Sequence, residues 1–274
     1  MKKLLLTGCD GMLGTALDYA LSQRHDVCTL DRRQFDITLA NWDRLSVEGF
    51  DYVINAAGLI NRREEDASHF YIVNSVFPHV LAAQCARSDA RLIHFSTDCV
   101  FDGVQAPFYE DSPRRAPDLY GTSKALGEPS LALVIRTSII GPESRNFYNL
   151  LCWALAQQHI NGFTNHVWNG VTTLELARLV NHIIEESLFV EGVRHIYSGD
   201  ISKYELLKMI CDIFGHQPHI AAASAPEPRD TTLRTRFPDF YNLLGIRSME
   251  HQLTDLLPIA GPDGHWIKHR SAAP

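Results

Sequence analysis

The stretch LLLTGCDGMLGTAL (residues 4–17) sets Gly8, Gly11 and Gly14 three residues apart, between an apolar run and a segment with helical spacing. Each glycine has its own physical reason. Gly8 permits a sharp turn out of a strand, Gly11 lets backbone approach a pyrophosphate, and Gly14 lets a helix pack closely on the strand. A helix that starts here offers free N–H groups and its positive dipole end to phosphate oxygens. A glycine triplet alone also serves as a structural turn. The strand before it and the apolar helix after it favour dinucleotide binding.

The same alternation continues outward. Short apolar runs fall at 3–7, 27–30, 52–56, 91–96 and 132–136, separated by helical spacing at 12–22, 67–87 and 120–128. Brief apolar runs alternating with helices predict an α/β fold, a doubly wound parallel sheet of the Rossmann type. After about residue 145 the rhythm changes: 146–158, 172–187 and 202–215 read as helices, the last between Ser202 as N-cap and Gly215 as the residue past its end, and 194–199 reads as a strand. HQPHIAAASAPEPRD (216–230) reads as a loop, followed by a tail rich in turn residues. The expected division is a dinucleotide-binding domain over 1–145 and 166–199 and a smaller substrate-binding lobe over 146–165 and 200–274.

Bulk properties exclude several classes. A chain of 274 residues with net charge −7 is not built as a nucleic-acid binder, which is usually basic, and an anionic ligand would need a local cluster of donors. The six cysteines form no CxxC pair, and His166 and His195 lack partners at metal spacing, so no metal site is expected. MKKLLLTGC (1–9) begins like a processed leader, but its apolar core is Leu4 to Leu6, against the ~7–15 residues a signal peptide needs. No run approaches the ~20 apolar residues of a membrane helix. The expectation is a cytoplasmic chain with reduced thiols and no membrane or nucleic-acid partner.

Three segments end or follow strands and should meet at the carboxyl edge of the sheet, where open α/β folds bind ligands. LIHFSTDCVFDG (92–103) ends in Ser96, Thr97 and Asp98; LYGTSKALGE (119–128) carries Tyr120 and Lys124; VIRTSIIGPE (134–143) supplies hydroxyls and Gly141. Reducing a ketone by hydride leaves charge on oxygen, which needs an acid in the transition state. A free phenol, with pKa near ~10, is a sluggish acid at neutral pH, and an ammonium nearby lowers that value. Residues four apart share a helix face, so Lys124 can supply that charge to Tyr120. A strand-end hydroxyl, Thr97 or Ser96, can steady the developing oxyanion. Alone, the Tyr–Lys pair would read as a solvated helix face; beside the glycine loop and STD it reads as chemistry.

The second strand's end leaves cofactor preference open. Asp31 stands seventeen residues after Gly14, suited to a ribose 2′-hydroxyl and hence to NAD, while Arg32 and Arg33 follow at once and suit a 2′-phosphate. The lean is towards NAD-type or dual use.

TGCDGMLG, FDIT, NAAG, STDCVFDG, LYGTSKALGE, VIRTSIIG and WNGVTTLELA, spread over residues 7–177, together resemble the dTDP-4-dehydrorhamnose reductase group of the extended short-chain dehydrogenases/reductases. The resemblance implies NADH- or NADPH-dependent reduction of a 4-keto nucleotide sugar, for surface polysaccharide or deoxysugar biosynthesis. It implies Thr97, Tyr120 and Lys124 as the catalytic trio, with Tyr120 protonating the sugar oxygen and Lys124 tuning it and holding the nicotinamide ribose. It adds Met12, Leu13, Asp36, Ile37, Ala56, Ala57 and Gly58, with Tyr120 and Lys124 themselves, to Gly8, Gly11, Gly14, Asp31 and Arg32 as cofactor residues. Ser96, Asp98, Cys99, Val100, Arg145, Trp168 and Arg229 are the expected substrate residues. Arg136 and Arg234 join Arg145 and Arg229 as candidate diphosphate clamps, since guanidinium suits bidentate phosphate contacts. A homodimer is also implied, without a distinctive trace in the sequence.

Three stretches depart from the group's pattern: Cys99 replaces the usual tyrosine, Ile139, Ile140 and Gly141 stand where the rhamnose enzymes carry a stretch with tryptophan, and NAAGLINRREE (55–65) differs from the usual continuation. Sugar and nucleotide are therefore unassigned. A related epimerase or dehydratase is a second reading, although Cys99 occupies the place of the glutamate a dehydratase would add. A non-catalytic NAD(P)-binding regulatory subunit is a third.

Overall fold

Leu4 and Leu6 lie on one side of the first strand and Leu5 on the other, and all three are buried, as expected of a strand covered on both faces. A computed structural model of the chain describes residues 1–60, 66–143 and 149–267. Strand β1 (Lys3–Thr7) leads through the glycine turn into α1 (Met12–Leu21), then β2 (Asp26–Leu30) and, after two 3-10 turns, β3 (Tyr52–Asn55). Next come α2 (Ala67–Phe70), a π-helical turn over Tyr71–Val76, α3 (Phe77–Arg87), β4 (Arg91–Thr97), α4 (Leu119–Leu126) and β5 (Leu133–Thr137). The second half runs β6 (Ile139–Ile140), α5 (Leu150–Ala156), β7 (His159–Phe163), β8 (His166–Trp168), β9 (Val171–Thr172), α6 (Thr173–Glu185) and β10 (Gly192–His195). It ends with β11 (Ile201–Ser202), α7 (Lys203–Ile213), β12 (His219–Ala223), β13 (Arg229–Asp230), α8 (Pro238–Leu244) and α9 (Met249–Thr254).

The central sheet is parallel throughout, in the order β10-β5-β4-β3-β1-β2. On one face Leu4, Leu6, Ile54, Ile93 and Ile135 pack with Leu13 and Leu17 of α1 and Leu176, Val180 and Ile183 of α6. On the other, Leu5, Val53, Leu92 and Val134 pack with Phe77, Leu81 and Cys85 of α3. Each such side chain contributes about 1.5–3 kcal/mol by leaving water. This is the doubly wound architecture expected from the apolar rhythm.

Strand order places the topological switch between β1 and β3, where the chain leaves the sheet's middle in opposite directions. A third cluster joins Ile140 and Leu151 to Leu206, Ile210 and Leu253, so that α5, α7 and α9 pack beside the sheet. Helix α7 begins with a capping box, Ser202 bonded to the Glu205 N–H and Glu205 to the Ser202 N–H, and Gly215 follows its end at φ +68°.

Two expectations fail in the second half. The segment 216–230, read as a loop, holds β12, which pairs in parallel with β7, and β13, which pairs with β8. Neither has a strand-like sequence; the partner strands supply the order. The tail holds α8 and α9, short helices that close on Leu244, Met249 and Leu253 in the core.

Candidate active site

At the switch point the glycine turn is as tight as its spacing predicts. Gly8 sits at φ +74°, and a Cβ there would lie 2.5 Å from the Ala57 nitrogen. A Cβ on Gly14 would lie 2.0 Å from the Gly8 carbonyl oxygen, so α1 could not approach β1 with any larger residue. Gly11 is the N-cap of α1 and has no side-chain cap, and the first turn has no acidic residue, which leaves its N–H groups open to an anion.

Two adjoining cavities share Gly11, Ala56, Ala57 and Gly58. The outer one is lined by Gly8, Asp31, Arg32, Asp36 and Ile37, with Thr7, Phe35 and Thr38. The inner one, about 340 Å³, is lined by Met12, Leu13, Ser96, Thr97, Asp98, Cys99, Tyr120 and Lys124, with Asn55, Thr137, Ser138 and Glu143. Gly14 lines neither; its place is under the turn. The trough fits an extended dinucleotide: glycine backbone at its middle, an acidic and basic strand end at one side, hydroxyl and amine groups at the other.

Helix α4 presents the pair. Asp118 caps it by accepting the Gly121 N–H at 2.8 Å, and Tyr120 and Lys124 follow on one face. Glycines hold the helix against its neighbours: a Cβ on Gly121 would lie 2.1 Å from the Cys99 carbonyl oxygen, and one on Gly127 only 1.7 Å from that of Asn74. Asn74, in the π-helical turn, accepts the Leu59 N–H at 2.8 Å and donates to Ser123 Oγ at 3.0 Å. Such turns recur at functional sites.

The charges differ from expectation in one respect. Burial pushes the Tyr120 phenol above its ordinary value of 10.0, with Asp98 and Asp118 adding to the rise and a hydrogen bond with Thr97 opposing it. Lys124 does not reverse this, because its ammonium is turned to the Phe95 carbonyl oxygen at 2.6 Å. Tyr120 is therefore a neutral phenol through neutral pH, the form that donates a proton. Burial pulls Lys124 down to about 8, against the opposing charge of Glu128. Burial likewise pushes the Cys99 thiol up to about 12 and raises the Asp98 carboxyl, which Thr231, Thr97 and Cys99 partly restrain.

The expected substrate residues divide. Asp98 and Cys99 face the inner cavity. Ser96 also reaches it, but its hydroxyl donates to Glu128 at 2.6 Å and is committed to structure. Val100 is turned away, fully buried with Phe101, Phe108 and Leu233, because a 3-10 turn over Asp98–Val100 rotates it inward. Trp168 lies against Gly170 and the α5–α7 cluster and does not line the cavity. Arg145 lies outside the described residues. Of the other arginines, Arg136 is tied to Glu128 and Arg234 to Asp200, whereas Arg229 lies over Gly103 with no ion-pair partner among the described residues.

Sequence reasoning missed His94 and Asn55 beneath the site and Lys203 beside it. Lys203 opens α7 and feels the charges of Asp98 and Arg229, although residues 98, 203 and 229 are remote in sequence. Among the described residues no group of His, Cys, Asp and Glu is placed to hold a metal ion, and no helix is long and apolar enough to cross a membrane.

Comparison with known proteins places this geometry. Residues 1–256 match the family model described as the RmlD substrate binding domain. The dTDP-4-dehydrorhamnose reductase of Mycolicibacterium smegmatis is 36% identical over 277 residues, covering 93% of this chain and 84% of that protein. The spore coat polysaccharide biosynthesis protein SpsK of Bacillus subtilis is 29% identical over 265 residues, covering 91% of each. Among solved structures, a dTDP-4-dehydrorhamnose reductase from Clostridium acetobutylicum superposes with a TM-score of 0.78 at 23% identity, over 93% of this chain and 98% of that one. One from Bacillus anthracis in complex with NADP gives 0.78 at 21% identity, over 94% and 99%. The chain thus belongs to the RmlD substrate binding domain family, among the dTDP-4-dehydrorhamnose reductase-like members of the extended short-chain dehydrogenases/reductases.

Proposed function

We propose that this chain reduces the 4-keto group of a nucleotide-linked 6-deoxy sugar with a nicotinamide cofactor, in the making of surface polysaccharide or another deoxysugar product. The observation that carries the reading is a single cavity holding Thr97, Tyr120 and Lys124 that runs on into the glycine trough. Relatives named as reductases of dTDP-4-dehydrorhamnose and of dTDP-4-keto-6-deoxy-D-glucose support the same chemistry.

When bound, the cofactor supplies the hydride. Gly8, Gly11 and the open end of α1 hold its diphosphate, Asp31, Arg32, Asp36 and Ile37 the outer half, and Met12, Leu13 and Ala56–Gly58 the trough between. Tyr120 gives the proton that the new alkoxide needs; the Thr97 hydroxyl orients the sugar oxygen; Lys124 keeps positive charge beside both. Arg229 and Lys203, grouped around Asp98 and without an ion-pair partner among the described residues, are the cations we assign to the substrate's diphosphate, and they come from residues 200–274. We accordingly read 146–165 and 200–274 as the substrate-binding part, and 1–145 with 166–199 as the dinucleotide-binding part.

The test is loss of reduced-nicotinamide absorbance when purified protein meets dTDP-, UDP- and GDP-linked 4-keto-6-deoxy sugars. Turnover with one of them supports the reading. Cofactor binding without turnover of any would favour the regulatory alternative.

Both cofactors should serve. Asp31 is already neutralised by Arg33, whose Nη2 lies 2.7 Å away, so its repulsion of a 2′-phosphate is reduced, and Arg32 lines the same cleft. NADH and NADPH are expected within about tenfold of one another in kcat/KM, and Arg32→Ala should raise KM for NADPH about 5–10-fold while sparing NADH. An equal loss with both cofactors would remove Arg32 from that role.

A further inference from the structure

Beneath Lys124 lies a chain of buried polar groups whose proton positions follow from the geometry. Asn55 Oδ1 accepts the Thr7 hydroxyl at 2.8 Å and the Ala57 N–H at 3.2 Å. An amide N–H can only donate, so this oxygen is fixed, and the Asn55 Nδ2 group must face His94 Nδ1, 3.1 Å away. That nitrogen therefore accepts and carries no proton. His94 is fully buried, and burial followed by the Lys124 charge holds its pKa well below 6.5, so it is neutral. Its one proton sits on Nε2, which points at Lys124 Nζ from 3.5 Å.

The consequence is asymmetric. An ammonium at Nζ meets the imidazole donor to donor and gains nothing from it, while an amine at Nζ offers a lone pair that Nε2–H can fill. We propose that His94 is a positioning residue that favours the amine form of Lys124 and turns its one remaining donor towards the cavity, setting the pH at which the Tyr120–Lys124 pair loses its positive charge. The identity of the reaction rests on the reductase reading; the tautomer does not.

Other groups around Lys124 act differently. On its own helix stands Tyr120, a neutral phenol, and two residues past the helix end stands Glu128, whose carboxylate is shared by Arg136 and Arg114. From β4 the Phe95 carbonyl accepts a proton of Nζ in either state. His79 of α3, whose charge also bears on His94, donates its Nε2–H to the Leu126 carbonyl oxygen at 2.8 Å. Asp98, Cys99 and Glu143 line the cavity on its far side. Among these groups His94 is the donor aimed at Nζ.

Two measurements test this. On wild-type protein with labelled histidines, long-range proton–nitrogen correlation, assigned by the peaks lost in His94→Gln, should show Nε2–H with an unprotonated Nδ1 at neutral pH. An Nδ1–H tautomer or an imidazolium would overturn the proposal whatever the enzyme reduces. The second is kcat/KM for reduction against pH, which in wild type should fall above about 8 as Lys124 loses its proton. His94→Leu removes the donor and should move that limb up by about one pH unit. His94→Gln, whose amide can accept from Asn55 and donate to Nζ, should hold the limb near its wild-type place even if turnover falls. Limbs unmoved in both variants, or moved equally, would reduce His94 to packing. His94→Leu leaves the Asn55 amide unpaired; if it does not fold, the tautomer and the glutamine variant still decide.

Discussion

Tyr120→Phe is expected to lower kcat for keto-sugar reduction by about 10²–10⁴-fold, the usual worth of a positioned proton donor, while cofactor binding stays at the wild-type level. The substitution removes one hydroxyl and keeps the ring, so it opens no cavity in the half-buried site and adds no packing cost to confuse the result. The sign of the phenol's shift matters. Burial raises its pKa, so at neutral pH it holds its proton and can act as an acid without first being protonated. The deprotonated form needed for the reverse oxidation is correspondingly scarce, and reverse turnover should rise with pH well into the alkaline range. Turnover by Tyr120→Phe at the wild-type rate would mean that water or another group supplies the proton, and the cavity would need a new acid.

How much of this was legible beforehand differs from part to part. The parallel sheet was visible because its strands are apolar on both faces: Leu4–Leu6, Tyr52–Ile54 and Leu133–Ile135 leave no polar position until their ends. Such runs form strands whatever surrounds them. β12 was invisible because His219–Ala223 holds three alanines and becomes a strand only against β7. The glycine trough was legible because its glycines sit in one turn, where Gly14 packs on the Gly8 carbonyl, although the backbone that Gly8 itself must clear is that of Ala57, remote in sequence. On the substrate side, Asp98 and Arg229 were named from their motifs, but Lys203 was not, since residues 98, 203 and 229 come together only in the fold. Val100 and Trp168 show the converse: membership of a motif did not carry them to the cavity, because a tight turn buries Val100 with Phe101 and Phe108 and Trp168 packs on the α5–α7 cluster.

Arg136→Met should cost about 3–5 kcal/mol of stability, as removal of one partner of a buried ion pair usually does. The side chains of Arg136 and Glu128 are 3% and 2% exposed, and two parallel bonds of 2.7 Å join them. Without the guanidinium, the carboxylate keeps only the Ser96 hydroxyl and the more exposed Arg114. The replacement of both partners by neutral groups, Arg136→Met with Glu128→Gln, should cost less than Arg136→Met alone, because no charge is then stranded. Burial raises the Glu128 carboxyl, but Arg136 first, then Ser96 and Arg114, outweigh burial and hold it below its ordinary 4.5. A carboxyl lowered in the folded state stabilises above its unfolded pKa, and that contribution is lost as pH falls through the folded value. Urea unfolding should therefore show wild-type stability falling with acid below about pH 4.5, and Glu128→Gln should flatten that dependence. Equal stability of wild type and Arg136→Met would show that the pair merely offsets its own desolvation. The ion pair also borders the candidate site, since Glu128 stands two residues past α4 and accepts the hydroxyl of Ser96, the neighbour of Thr97. Arg136→Met should thus lower kcat/KM even at temperatures where the variant is fully folded, and Arg136→Lys, which keeps charge but not the paired geometry, should recover stability better than rate.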